Sequence, residues 1–216
     1  MVFTSTTMID IRQSKNYAVY LKSNGWIVES LPAQAGIDNI NYFIKKLPLL
    51  GSVLKIQRPI KIDFEITKKL EKKYRVFQTI IEPKSTSVFN PLHKLMLSNG
   101  FKLSRNPYLP TKTLQIDLAQ VEKQIYSKFS KDCKYSIRKG SGLIIKEYST
   151  PKEIEKFRKA WRKSVNFNRY VPSLQSLLNL KRSFPNNNSI FLTSHNAGAI
   201  FLRTKNIAYY WQAFTN

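Results

Sequence analysis

The stretch "SVLKIQRPIKIDFEITKKLEKKYRVFQTIIEP" (residues 52–83) decides the fold class. Its opening, "SVLKIQRPI", reads as a strand that ends at Pro59, because proline has no N–H to continue a ladder. "TKKLEKKY" then reads as a short helix, and "RVFQTIIEP" as a buried strand by its β-branched and aromatic content, closed by Glu82 and Pro83. Strand, helix and strand in succession favour a mixed α/β chain over an all-helical one.

Outward from this unit the alternation continues. "GWIVESL" before it is a strand. After it, "FNPLHKLMLSNGF" carries helix punctuation: Asn90 as N-cap, Pro91 at the first helical position, and Gly100 after Asn99 for a left-handed exit. "SRNPYLPTKT" has two prolines and no periodicity, so the boundary between halves falls there, giving residues 1–107 and 108–216. "KTLQIDL" restarts the pattern as a strand, with Asp117 as the cap of a helix whose stripe is Leu118, Val121, Ile125 and Phe129. "LIIKEYS" is another strand. In "TPKEIEKFRKAWRKSV", Thr150 and Glu153 form a capping box around Pro151. Ile154, Phe157 and Trp161 face inward while Lys152, Lys156, Lys159 and Lys163 face out, as an ordinary solvated side does. "SIFLTSHNAGAIFLRTKNIAYYWQAF" reads as a strand, a turn near Asn196 to Gly198, and two further strands.

Charge sets the chemistry of the surface. Lys and Arg number 36 against 13 Asp and Glu, a net charge of +23, and the sequence pI is near 10.1. A surface so cationic attracts polyanions: nucleic acid, anionic lipid or phosphorylated molecules. With 42% hydrophobic and 12% aromatic residues the chain carries core-forming material that a disordered basic tail lacks. One cysteine, Cys133, excludes an intramolecular disulfide framework, fits a reducing cytoplasm, and is expected to be a small core residue. "MVFTSTTMIDIRQ" shows no cationic start followed by an apolar core, so no export signal is expected, and contact with an anionic membrane would be peripheral.

The remaining motifs narrow the function by exclusion. His93 and His195 lie far apart, with no Cys or carboxylate at ligand spacing, so no metal site is expected. Neither a GxxxxGK[ST] loop nor a GxGxxG turn occurs, and "GSG" at 140–142 is more simply a flexible turn than a phosphate cradle. Arg58, held between a strand and Pro59, presents a planar five-donor fork from a fixed base; it is either a ligand contact for carboxylate or phosphate or a structural salt bridge. Arg169 in "VNFNRY", just past an amphipathic helix among aromatic neighbours, carries the same two readings. In the strand run Tyr209, Tyr210 and Trp211, at least one ring must face away from the core. Between Lys128 and Lys139, Lys131, Lys134 and Arg138 add to the cations against the single Asp132.

In order, "QSKNYAVYLKSNGW", "VLKIQRP", "IIEP", "LPTKTLQIDL", "YSIRKG" and "YYWQAF" resemble the Fem family, the peptidoglycan bridge-forming aminoacyltransferases, over nearly the whole chain. The resemblance implies two tandem acetyltransferase-like (GNAT) folds, mixed α+β, with substrate in a groove across them and no metal or organic cofactor. It implies a cytoplasmic enzyme that moves an amino acid from aminoacyl-tRNA to the amine of a peptidoglycan precursor, either lipid-linked or nucleotide-linked. Both substrates are polyanions, in keeping with the charge. Arg58 and Arg169 are then the expected anion contacts, Tyr210 a groove-lining residue, and Lys134 and Arg138 cations near a passing phosphate chain.

Two departures from the family pattern stand out. Family members that bind a nucleotide diphosphate place a lysine in the first helix, four residues after an aromatic. Here Tyr17 takes the aromatic position and Leu21 that of the lysine, with Lys22 beside it about 100° round the helix. The family also continues beyond "WQAFTN", so the second fold is expected to be incomplete. Two rival readings share the charge: a non-enzymatic RNA-binding protein, and an acyl-CoA-dependent N-acetyltransferase. The first lacks an RNP-like motif, a KH-type GxxG and a zinc knuckle, and the second lacks the Q/RxxGxG/A loop.

Overall fold

A computed structural model describes residues 9–32, 39–83, 91–106, 108–110, 113–165, 169–205 and 207–215. The chain is mixed α+β, with two four-stranded sheets. The first runs in the order β1-β2-β3-β4, from β1 (Ile27–Leu31), β2 (Ile40–Leu47), β3 (Gly51–Gln57) and β4 (Val76–Glu82). β1, β2 and β3 form an antiparallel meander. β4 then returns parallel to β3 through helix α2 (Phe64–Tyr74), so the opening stretch of sequence is a βαβ unit.

Asp63 starts α2 by accepting a hydrogen bond from the Ile66 N–H at 2.9 Å, and Arg75 ends it in a left-handed conformation (φ 50°). At the first residue of β3 the chain passes so close to that helix end that a Cβ on Gly51 (φ 96°) would lie 2.6 Å from the Arg75 carbonyl oxygen. Glycine is required there on both counts. The Ser52 N–H donates to the same carbonyl at 3.1 Å, which sets the start of the parallel pair.

The central strand β2 buries both of its faces. Tyr42 and Ile44 join Ile40, Leu54, Ile56 and Leu70 beneath α2. Phe43 points the other way, into a larger core with Val28 and with Tyr17, Ala18 and Leu21 of helix α1 (Lys15–Ser23). Burial on both faces makes "INYFI" a continuous buried run, with Asn41 its one polar member, where a half-exposed strand would alternate.

After helix α3 (Pro91–Ser98), Gly100 (φ 84°) supplies the left-handed exit; the expected cap Asn90 lies outside the described residues. "KTLQIDL" forms no strand where it is described. Leu114 is 98% exposed there, and Asp117 caps no helix: its carboxylate accepts from the Ala119 N–H and the Gln120 amide in a local turn. Helix α4 (Glu122–Ser127) starts later, with Val121 at its N-cap position, and buries nothing. Helix α5 (Lys131–Gly140) follows, with Cys133 only half-buried.

The second sheet is antiparallel throughout: β5 (Lys146–Glu147), β6 (Ser189–Ser194), β7 (Ala197–Arg203) and β8 (Ala208–Thr215). "LIIKEYS" contributes only the short β5. The β6–β7 turn sits at His195 (φ 48°) and Asn196, a residue or two earlier than expected. Helix α6 (Pro151–Ser164) carries the capping box read from sequence and packs Phe157 edge-on to Phe191 and Phe214, at 5.3 and 5.2 Å between centroids. Helix α7 (Leu174–Ser183), capped by Ser173, adds Leu177 and Leu180.

These residues share one core with α1, Val28 and Phe43 of the first half. Two polar ties fix α1 on α7: the Asn179 side-chain amide donates to the Ser23 carbonyl at 2.8 Å, and the hydroxyls of Tyr20 and Ser176 meet at 3.0 Å. Burial on this scale is the main stabilising term, about 25 cal/mol per Å² of apolar surface.

Candidate functional site

Where β3 and β4 end side by side, their last residues, Gln57 and Glu82, are register partners. The Gln57 side-chain amide donates to Glu82 Oε2 at 2.8 Å. Gln57 is steadied from behind, because the Gln13 amide donates to its backbone carbonyl at 2.5 Å. Gln13 Oε1 in turn accepts from the Asn41 N–H at 2.8 Å, and the Asn41 amide donates to the Gln13 carbonyl at 2.9 Å. Asn41, Gln13, Gln57 and Glu82 thus form a relay from β2 to the tip of β4, with buried polar groups paired as a low dielectric demands. Glu82 Oε1 is the exception: it is buried with no hydrogen-bond partner among the described residues.

The 3-10 turn that carries Gln13 (Ile11–Gln13) also reaches the second sheet. The Arg12 guanidinium lies 4.9 Å over the Trp211 ring and pairs with Asp10 at 3.3 Å. The Tyr209 hydroxyl accepts from the Ile11 N–H at 3.2 Å and donates to Asp10 Oδ2 at 3.4 Å. Burial, and next the Asp10 carboxylate, raise the Tyr209 phenol above its ordinary pKa. Burial pushes the Tyr17 phenol up further, with Glu82 among the charges that act on it. One polar seam therefore joins the ends of the parallel strands to β8, with two carboxylates (Glu82 and Asp10), the Arg12 guanidinium and several aromatic groups.

The residues singled out in the sequence fall in different settings. Arg58, immediately after Gln57, is left-handed (φ 50°). Its N–H donates to the Glu82 carbonyl at 2.6 Å, and its guanidinium donates to the carbonyls of Pro83 at 2.9 Å and Pro110 at 2.6 Å. The fork thus clamps two backbone segments, a use that neither sequence reading named. Tyr210 is 68% exposed and meets Phe201 edge-on, while Tyr209 and Trp211 pack on the core, as the strand run implied. Lys22 and Arg169 are exposed. Lys134 donates to the Ser127 carbonyl at 2.7 Å and faces the Tyr126 ring, and Arg138 is exposed on the last turn of α5.

Sequence reasoning missed Gln13, Gln57, Glu82, Asp10 and Arg12. Gln57 and Glu82 are signalled only by the strand-ending "QRP" and "IEP", which mark positions where side chains leave a ladder, and Asp10, Arg12 and Gln13 by neither. It also missed Lys55, whose ammonium lies 5.6 Å from the Trp26 ring and 4.9 Å from that of Tyr108. An open hollow of about 260 Å³ beside α2, lined by Phe64, Glu71, Thr79 and Phe101 among others, includes none of the seam residues.

No family model and no curated protein matches this sequence. Among solved structures, the crystal structure of FemX matches with a TM-score of 0.65 and 13% identity, over 89% of this chain and 53% of that one. The chain therefore spans about half the length of FemX, and at this identity the likeness is one of fold. It agrees with the acetyltransferase-like architecture: two four-stranded sheets, the first mixed and built around a parallel βαβ unit, the second antiparallel.

Proposed function

We propose that the chain is a transferase of the peptidoglycan bridge-forming kind, moving an amino acid from aminoacyl-tRNA to an amine on a peptidoglycan precursor. The observation that carries this is the fold likeness to FemX over 89% of the chain. The net charge of +23 supports it, since both substrates would be polyanions.

The reaction is aminolysis of an ester. The acceptor ammonium first loses a proton. Its nitrogen then attacks the acyl carbonyl, the new C–N bond forms as the C–O bond to the tRNA ribose breaks, and the remaining proton passes from nitrogen to the departing ribose oxygen. We assign the first step to Glu82: one carboxylate oxygen is fixed by Gln57, and the other, buried without a partner among the described residues, takes the ammonium proton once the substrate opens the strand ends around it.

Arg58 holds the strand end that carries Glu82, and its donors that have no partner among the described residues, with Arg169 and Lys22, are the proposed contacts for substrate phosphates. Tyr210 lines the groove. The test is donor-dependent transfer to a lysine-containing precursor. Aminoacyl-tRNA should support it and acetyl-CoA should not; RNA binding that falls steeply with salt, with no transfer from any charged tRNA, would favour a simple RNA binder instead.

A further inference from the structure

The segment 121–146 buries none of its residues, although it includes two helices. It ends in three consecutive aliphatic side chains, Leu143, Ile144 and Ile145, which are 50%, 70% and 63% exposed, after the turn that closes α5. Tyr135, Ile137 and Val121 are exposed beside them in sequence. The same residues carry seven cations, Lys123, Lys128, Lys131, Lys134, Arg138, Lys139 and Lys146, against Glu122 and Asp132, a net charge of +5. On α5, Lys131, Lys134 and Arg138 recur at steps of three and four and so share one side.

We propose that this segment docks on an anionic lipid surface, Leu143 to Ile145 entering the boundary between headgroups and acyl chains while Arg138, Lys139 and Lys146 on either side meet lipid phosphates. The charge chooses the partner's sign, and the aliphatic triplet chooses its kind. A nucleic acid admits an isolated apolar wedge between base steps but has no apolar layer to receive three consecutive aliphatic side chains, whereas an interfacial segment pairs such side chains with flanking cations. A second copy of the chain would bring a like charge of +5 to the same face and be repelled. Among the described residues no helix is long and apolar enough to cross a membrane, so the contact is at the surface. The phosphate chemistry read from Lys134 and Arg138 in the sequence is, on this assignment, that of lipid headgroups.

The experiment is sedimentation of the full chain with vesicles of phosphatidylcholine alone or mixed with phosphatidylglycerol. The chain should pellet only with the mixed vesicles. A Lys134→Gln/Arg138→Gln/Lys139→Gln variant should bind more weakly by roughly fivefold per cation removed, and Leu143→Ser/Ile144→Ser/Ile145→Ser should also lose binding. Neither set is buried in the core, so both variants should keep the circular dichroism of the parent. Lys152→Gln/Lys156→Gln/Lys163→Gln on α6 removes the same charge elsewhere and should bind as the parent does. An environment-sensitive dye at Ile144→Cys, in a Cys133→Ser background, should brighten on the mixed vesicles. The proposal is overturned if the parent does not pellet, if the aliphatic variant binds unchanged, if the α6 variant loses as much as the α5 variant, or if the dye does not respond while RNA binds the segment instead. None of these readouts involves transfer, so the docking surface and the transferase reading stand or fall separately.

Discussion

Gln57 and Glu82, register partners at the ends of the parallel strands β3 and β4, are joined side chain to side chain at 2.8 Å, so the carboxylate is held by one oxygen alone. The arrangement makes Gln57 the group that positions Glu82. Replacing Gln57 with Ala leaves both carboxylate oxygens without a partner in a mostly buried place. The expected cost is about 1–3 kcal/mol, read as a lower urea midpoint at unchanged slope. Glu82→Gln keeps the shape and removes the charge, and should leave stability closer to the parent.

Arg58 spends its guanidinium on the carbonyls of Pro83 and Pro110. Arg58→Ala should therefore destabilise the fold by about 1.5–3 kcal/mol and raise amide hydrogen exchange around residues 108–110. An arginine that served ligand binding alone would leave both measurements unmoved.

Gly51 has no room for a side chain. Gly51→Ala puts a methyl 2.6 Å from the Arg75 carbonyl oxygen on a backbone with φ 96°. The loss expected is more than about 1 kcal/mol, measured by thermal or urea unfolding. Gly100→Ala is the comparison, because φ is similarly positive there but nothing lies within 4 Å of the added carbon; it should cost less.

Hydrogen bonds from the backbone N–H groups of Thr150 and Ser149 hold the Glu153 carboxyl down from 4.5 to about 2. In this window the unfolded chain binds the proton more tightly than the folded one, so the stability this group contributes is full and constant above pH 4.5 and is lost as pH falls from 4.5 towards 2. Glu153→Gln should flatten that part of the stability–pH curve, with the difference from the parent greatest at neutral pH and shrinking towards pH 2.

The elements legible in the sequence were those whose signals are local. The capping box of Thr150 and Glu153, the inward stripe of Ile154, Phe157 and Trp161, and the unit from β3 to β4 all follow from spacing and turn chemistry within a few residues. β2 was harder to see, because burial on both faces removes the alternation that marks a strand. α7 was missed although Ser173 caps it and Leu177 and Leu180 repeat along it.

Two readings failed for a non-local reason. "KTLQIDL" has the alternation of a strand, yet a strand exists only where a neighbour supplies its hydrogen bonds, and no described residue does so for Leu114 or Ile116. "RVFQTIIEP" is a strand but not a buried one. β4 lies at the sheet edge, with Phe77 exposed, since composition reports propensity and not position in the sheet.

The seam was the least legible part. It brings Gln13, Asn41, Gln57 and Glu82 together from four separate stretches, and polar residues at such distances leave no periodic trace. Arg58 was noticed because proline follows it, but its carbonyl partners at Pro83 and Pro110 come from folding alone.

The most direct measurement is the mass of a lysine-containing peptidoglycan precursor incubated with the chain and a set of charged tRNAs, with Glu82→Gln run in parallel. The account predicts a gain of one aminoacyl residue with the parent, and a rate at least about 100-fold lower with the variant. An unchanged precursor with every charged tRNA, or equal rates for parent and variant, would contradict it.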